Sequence, residues 1–290
     1  MKRRIIAALA ATGLAVTMAV GLAPAAQAEP TWGSAYVAIG DSVAAGTGNM
    51  PYVDSGCLRS GKAYPNVLAG MLGSAVVSAA CTGSPTGVVA GQATALAQQG
   101  ILGPNTRLVT ITAGVNNLPW IPVLLACSSL GTPEACAGVL ATLPQAGATI
   151  VPGIAQIIGT VRAVAKNAHI VVTGYPYPFG EFSGMCSIGA GAPGSPVKFS
   201  SASAFAVNGA VTGLNGAVQL GISTYLGQVP DPGVSYVDVT QRFDGHGFCD
   251  TGERWMGGMV PNGPVKDRGF HPNVAGQQAY AAAIAAVPMP

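Results

Sequence analysis

The chain has 290 residues, of which 49% are hydrophobic and only 8% charged, with a formal net charge of +2. Three of the positive charges, Lys2, Arg3 and Arg4, stand before an apolar run from Ile5 to Gly21 and the small-residue site Ala26-Gln27-Ala28, so residues 1–28 read as a secretory signal peptide. An uncleaved anchor is disfavoured by Pro24 and that cleavage site. Without these three charges the net falls to −1, which leaves no basic cluster for nucleic acid, and the composition of residues 29–290 fits a folded, exported, soluble domain rather than a disordered one.

Residues 35–39 form the first strand-like run, apolar on both faces, and it breaks at Gly40-Asp41-Ser42. A hydroxyl at the carboxyl end of a strand stands where open α/β sheets keep their active sites. The next segment, residues 49–63, is irregular and holds Cys57. A helix is predicted over 65–72, a strand over 75–78, and then a turn containing Cys81 and Gly83. Another helix (88–99) and strand (107–112) lead into Gly114-Val115-Asn116-Asn117. Residues 118–144 are rich in Gly, Pro and Ser and read as irregular. In 149–165, Ile150, Ile154, Ile157, Ile158 and Val161 recur at helical spacing, with Pro152 near the start where a first turn tolerates it. A strand (169–173), an irregular stretch (175–196), a long helix (201–226), a strand (235–239), a further irregular stretch (244–267) and a last helix (273–287) complete the chain. Strands without alternation are those buried inside a parallel sheet, and their alternation with helices predicts a three-layer α/β domain over residues 29–290.

Six cysteines fall after the leader: Cys57, Cys81, Cys127, Cys136, Cys186 and Cys249. All but Cys81 lie in stretches read as irregular, where cross-links rigidify loops with few apolar contacts. No C-x-x-C pair suggests a metal, and an even number in an exported chain predicts disulfides. Fifteen connectivities can be written. The sequential one, Cys57 to Cys81, Cys127 to Cys136 and Cys186 to Cys249, closes the shortest loops.

A serine becomes a nucleophile only with a base in reach and donors for the developing oxyanion. The chain has three histidines. His169 opens a strand and reads as structural. His246 lies in a glycine-flanked loop beside a predicted disulfide and reads as a loop tie. His271 ends a loop just before the last helix, which Asn273 is placed to cap. From there an imidazole can reach a strand-end serine.

Taken together, these motifs resemble the SGNH hydrolases of the GDSL esterase/lipase family, most of all its secreted actinobacterial lipases with three disulfides, over nearly the whole chain after the leader. The resemblance implies a three-layer α/β/α, flavodoxin-like fold, Ser42 as nucleophile, Gly83 and Asn116 as oxyanion-hole donors, and His271 as base. It implies no cofactor and no metal. Asn117 stands where relatives often carry aspartate. The family's last motif places an aspartate three residues before the histidine, whereas here that position is Arg268 and the carboxylate is Asp267. The third member is therefore Asp267, with the Arg268 carbonyl as the competing acceptor. Asp41 reads as a brace of its own turn. Tyr175-Pro176-Tyr177-Pro178-Phe179-Gly180 reads as either a substrate wall or a rigid loop.

The implied activity is ester hydrolysis by a secreted monomer acting on a small-molecule or lipid ester, without nucleic acid or stable membrane insertion. Alternatives are an acetyl esterase on polysaccharide, a phospholipase A-type enzyme, or an inactive secreted binding module. No G-x-S-x-G elbow and no Walker A loop occur, and the G-x-G-x-x-G at residues 189–194 has no strand before it or helix after it.

Overall fold

The computed structural model describes residues 35–263 and 266–288, so the leader expected at residues 1–28 lies outside the described residues. The chain runs through β1 (Tyr36–Gly40), α1 (Ser42–Ala45), β2 (Tyr52–Asp54), β3 (Arg59–Ser60), α2 (Tyr64–Met71), β4 (Val76–Ser78) and α3 (Thr86–Gln98). It continues with β5 (Leu108–Thr112), α4 (Trp120–Cys127), α5 (Pro133–Ala141), α6 (Leu143–Gly147), α7 (Ile150–Val164) and β6 (His169–Thr173). The last part is β7 (Met185–Ala190), β8 (Pro196–Ser200), α8 (Ser201–Gln228), β9 (Val234–Val237) and α9 (Val274–Ala285).

Five strands form one parallel sheet in the order β4-β1-β5-β6-β9. Counted among themselves these are strands 2-1-3-4-5, the flavodoxin-like order. β1, β5 and β6 are buried along their whole length, as strands covered on both faces must be. Right-handed crossovers send α2 to one face, because the chain steps left from β1 to β4, and send α3, α7 and α8 to the other as it steps right. The packing follows: α2 lies against α9, while α3, α7 and α8 lie side by side. The sheet order reverses between β1 and β5, so a crevice opens beyond their carboxyl ends.

Three expectations are corrected. Residues 49–63 hold β2 and β3, a short antiparallel pair, residues 118–144 carry helices α4 and α5 and the start of α6, and residues 175–196 carry β7, which pairs antiparallel with β8. In the helical stretch prolines stand at helix starts rather than breaking them: Pro119 precedes α4, Pro144 lies in the first turn of α6, Pro133 opens α5, and the Thr132 hydroxyl accepts the Ala135 N–H at 3.2 Å. The glycine motif at 189–194 begins on the end of β7 and runs into the turn of the β7–β8 hairpin, so a strand does precede it, though the element that follows is a strand and not a helix. The three disulfides join the sequential pairs Cys57–Cys81, Cys127–Cys136 and Cys186–Cys249. Three of the six sulfurs therefore hang from regular elements, Cys127 on α4, Cys136 on α5 and Cys186 on β7. The stretch Pro133–Val164 is apolar enough in composition to cross a membrane, but the isoleucines of α7 within it are wholly buried in the core of this fold.

Candidate active site

Ser42 owes its position to the glycine two residues before it. Gly40 sits at φ +151°, and a Cβ there would lie 2.5 Å from the Thr112 carbonyl oxygen. Only glycine lets β1 turn so closely over the end of β5. Both backbone polar groups of Gly40 are held by the Gln92 carboxamide from α3, its N–H donating at 2.8 Å and its carbonyl accepting at 2.9 Å. Asp41 N–H donates to Thr112 O at 3.0 Å, and Asp41 Oδ1 accepts the Val43 N–H at 2.9 Å as the N-cap of α1. The next residue, Ser42, opens α1 and is 6% exposed.

The two expected oxyanion donors come from turns after β4 and β5. Gly83 adopts φ +76°, which glycine tolerates, and nothing lies within 4 Å of where its Cβ would be. Its conformation, not crowding, demands the glycine. Gly114, at φ +134°, starts the short 3-10 turn Val115–Asn117. Asn116 Nδ2 donates to Ser84 O at 3.2 Å, which ties the two turns together and leaves its second amide hydrogen free for another acceptor. Asn117 is structural: its Oδ1 accepts the Thr86 N–H at 3.0 Å, and its amide donates to the Thr86 and Thr149 hydroxyls at 2.9 Å each.

His271 follows a 3-10 turn, Lys266–Arg268, and precedes Asn273, whose Oδ1 caps α9 by accepting the Gly276 N–H at 3.1 Å. Its Nδ1 is buried and meets no acceptor in hydrogen-bond geometry. Burial pulls the imidazole pKa below the usual value, against the upward pull of the Asp267 and Gly269 backbone carbonyls and the Asp267 carboxylate nearby. The Arg268 carbonyl accepts the His271 backbone N–H at 3.0 Å. The other two histidines lie outside the cleft in structural contacts: His169 Nε2 pairs with the Ser235 hydroxyl at 3.0 Å, and His246 bonds Glu253 O through Nδ1 and stacks on Trp255.

Ser42, Gly83, Asn116, Asp267 and His271 all line one cleft of about 440 Å³. Its far wall is apolar, built by Trp120, Ile121, Leu124 and Leu125 of α4, an element read from sequence as loop. Tyr175, Pro176 and Pro178 line it too, so the Pro-rich segment is a wall and a rigid loop at once. Two asparagines on α8 make it rigid. Asn215 bonds both the N–H and the carbonyl of Tyr175 at 2.8 and 2.9 Å, and Asn208 does the same for Phe179 at 3.3 and 2.8 Å. Seven positions apart, they lie on one face of the helix. That spacing, in a helix of small and apolar residues, was a legible signal for a polar clamp; the role of Gln92 left none.

The family model of the GDSL-like Lipase/Acylhydrolase family matches residues 38–279, most of the chain. The chain belongs to this family. Proteins similar to this family member include Lipase 1 of Streptomyces coelicolor, 30% identical over 92% of this chain and 90% of that one, and a lipase of Streptomyces rimosus, 29% identical over 93% of each. Among solved structures, phospholipase A1 from Streptomyces albidoflavus superposes with a TM-score of 0.69 at 28% identity, covering 87% of this chain and 98% of that one. The extracellular lipase of S. rimosus gives 0.66 at 28% identity, covering 87% and 99%. As a GDSL-like lipase/acylhydrolase the protein is a carboxylic ester hydrolase, and the binding-module alternative falls away.

Proposed function

We propose that this GDSL hydrolase is a secreted serine esterase that cleaves acyl-lipid esters through an acyl-enzyme on Ser42. The observation that carries the reading is the convergence of Ser42, Gly83, Asn116 and His271, from four separate turns, on one cleft with an apolar wall. His271 takes the Ser42 proton as Oγ bonds to the ester carbonyl carbon, and the Ser42 and Gly83 backbone N–H groups with the Asn116 amide hold the oxyanion. The leaving alkoxide takes the proton from His271, and water, deprotonated by the same imidazole, releases the acid. Asp267 is assigned as the residue that orients the imidazole, because its backbone carbonyl and, more weakly, its carboxylate both pull the His271 pKa upward.

Secretion is supported by the signal-like residues 1–28, by three disulfides of the kind that persist in oxidising compartments, and by an extracellular relative. Residues 29–290 then form the single catalytic domain, acting as a monomer. The likeness to a phospholipase A1 favours a second reading, in which the cleaved ester belongs to a phospholipid.

The test is hydrolysis of nitrophenyl esters of increasing chain length, emulsified triglyceride and phospholipid vesicles by the wild type and Ser42→Ala. Turnover of long-chain esters that vanishes in the variant is expected; equal rates in both proteins would remove Ser42 from the mechanism. Release of fatty acid from vesicles but not triglyceride would select the phospholipid reading.

A further inference from the structure

The side chain that joins the nucleophile turn to the oxyanion turn is neither of the residues that carry the motifs. Tyr175 is 4% exposed, and its hydroxyl donates to Asp41 Oδ2 at 2.5 Å while accepting the Val115 N–H at 3.3 Å. Asp41 stands immediately before Ser42, and Val115 immediately before Asn116. One oxygen atom thus bonds the neighbours of both residues. Its own place is over-determined: Asn215 clamps the Tyr175 backbone on both sides, and the preceding Gly174 carbonyl accepts the Tyr280 hydroxyl at 3.0 Å.

We propose that Tyr175 is a positioning residue whose hydroxyl fixes the distance between Ser42 and the Asn116 amide. The inference rests on the reading of Ser42 as nucleophile and Asn116 as oxyanion donor. Its physical basis is that an oxyanion donor works only when it is held where charge develops, and a shift of about 1 Å can cost about a hundredfold. The hydroxyl also governs the Asp41 carboxylate. Burial pushes that carboxyl up to about 6, with the Tyr175 hydrogen bond as the largest force pulling it down. The other titratable groups facing Asp41 are Tyr64 and Tyr280, both pushed up by burial and neutral.

Tyr175→Phe removes the oxygen and keeps the ring. The experiment measures nitrophenyl ester kinetics, the rate of Ser42 labelling by a fluorophosphonate, and the Asp41 carboxyl titration by carbon NMR, in wild type and variant. The expected result is a fall in kcat of about ten- to a hundredfold with KM within about twofold, a parallel fall in labelling rate, and an Asp41 titration moved to higher pH. Unchanged kcat in a variant whose Asp41 titration has moved would overturn the inference. So would an unmoved titration. Should Tyr175→Phe fail to fold, Asp41→Asn weakens the same link while keeping an acceptor for the Val43 N–H, and is expected to lower kcat with KM retained; full kcat there overturns the inference too. Failure of wild-type Ser42 to label would instead strike the nucleophile reading itself.

Discussion

At the residue scale, the site's chemistry depends on which histidine stands in the cleft. His169 and His246 are bonded to a serine hydroxyl and a backbone carbonyl outside it, whereas His271 lines it. Because burial lowers its pKa, the imidazole stays neutral, and competent as a base, to lower pH than a free histidine. The acid limb of kcat/KM is therefore expected below about 6.5. The same shift makes protonation costly to the fold: this contribution to stability is complete above the unfolded value and is lost as pH falls below it. Asp41 titrates nearby, so the profile is measured in Asp41→Asn as well; a limb above 6.5 in both proteins would show the Asp267 charge outweighing burial. Of the residues proposed for the site, Ser42 and His271 were legible from residue type and position, and Gly83 and Asn116 from the family resemblance. Gln92 and the Tyr175 hydroxyl were not, since each acts on a residue about fifty or more positions away and carries no local pattern.

Among elements, the helix layer of α3, α7 and α8 decides how firmly the sheet ends are held. α7 and α8 cross where Gly221 faces Ile154, and a Cβ on Gly221 would lie 2.7 Å from Ile154 Cβ and 2.8 Å from Val151 O. That approach leaves no room for a methyl group. Gly221→Ala is expected to destabilise the fold by about 1–3 kcal/mol despite the better helix propensity of alanine, measured by urea unfolding. A stabilised variant would mean that the helices separate without cost. The five strands of the parallel sheet and the long helices were read nearly to the residue because each is a continuous apolar or periodic run; the two short hairpins were not. The missed helices α4 to α6 fail that test: they are short, Gly- and Pro-containing, and only partly buried, so their periodicity is weak and their packing on α8 and one another sustains them.

For the whole molecule, the buried Asp41 makes stability depend on pH in an unusual direction for a carboxylate. Its folded pKa is raised from 3.8 to about 6. The contribution is fully present below about 4 and is lost as pH rises through about 6, because across that range the unfolded state gives up its proton while the buried carboxyl still holds it, and above it the folded state carries a buried carboxylate. Unfolding measured from pH 4 to 8 should show Asp41→Asn gaining on the wild type by up to about 3 kcal/mol across that range. A pH-independent gap would refute the burial argument. The sequence alone determined the chain order of the five sheet strands and the long helices between them, the glycines that permit the turns, an even set of cysteines able to pair, and the residue types proposed for the site, because these rest on local conformation and on residue type. Only the tertiary structure decided that the sheet reverses between β1 and β5, that α4 walls the cleft, and that one tyrosine oxygen joins its two turns. Those are relations between segments distant in sequence, fixed by packing, and no local pattern encodes them.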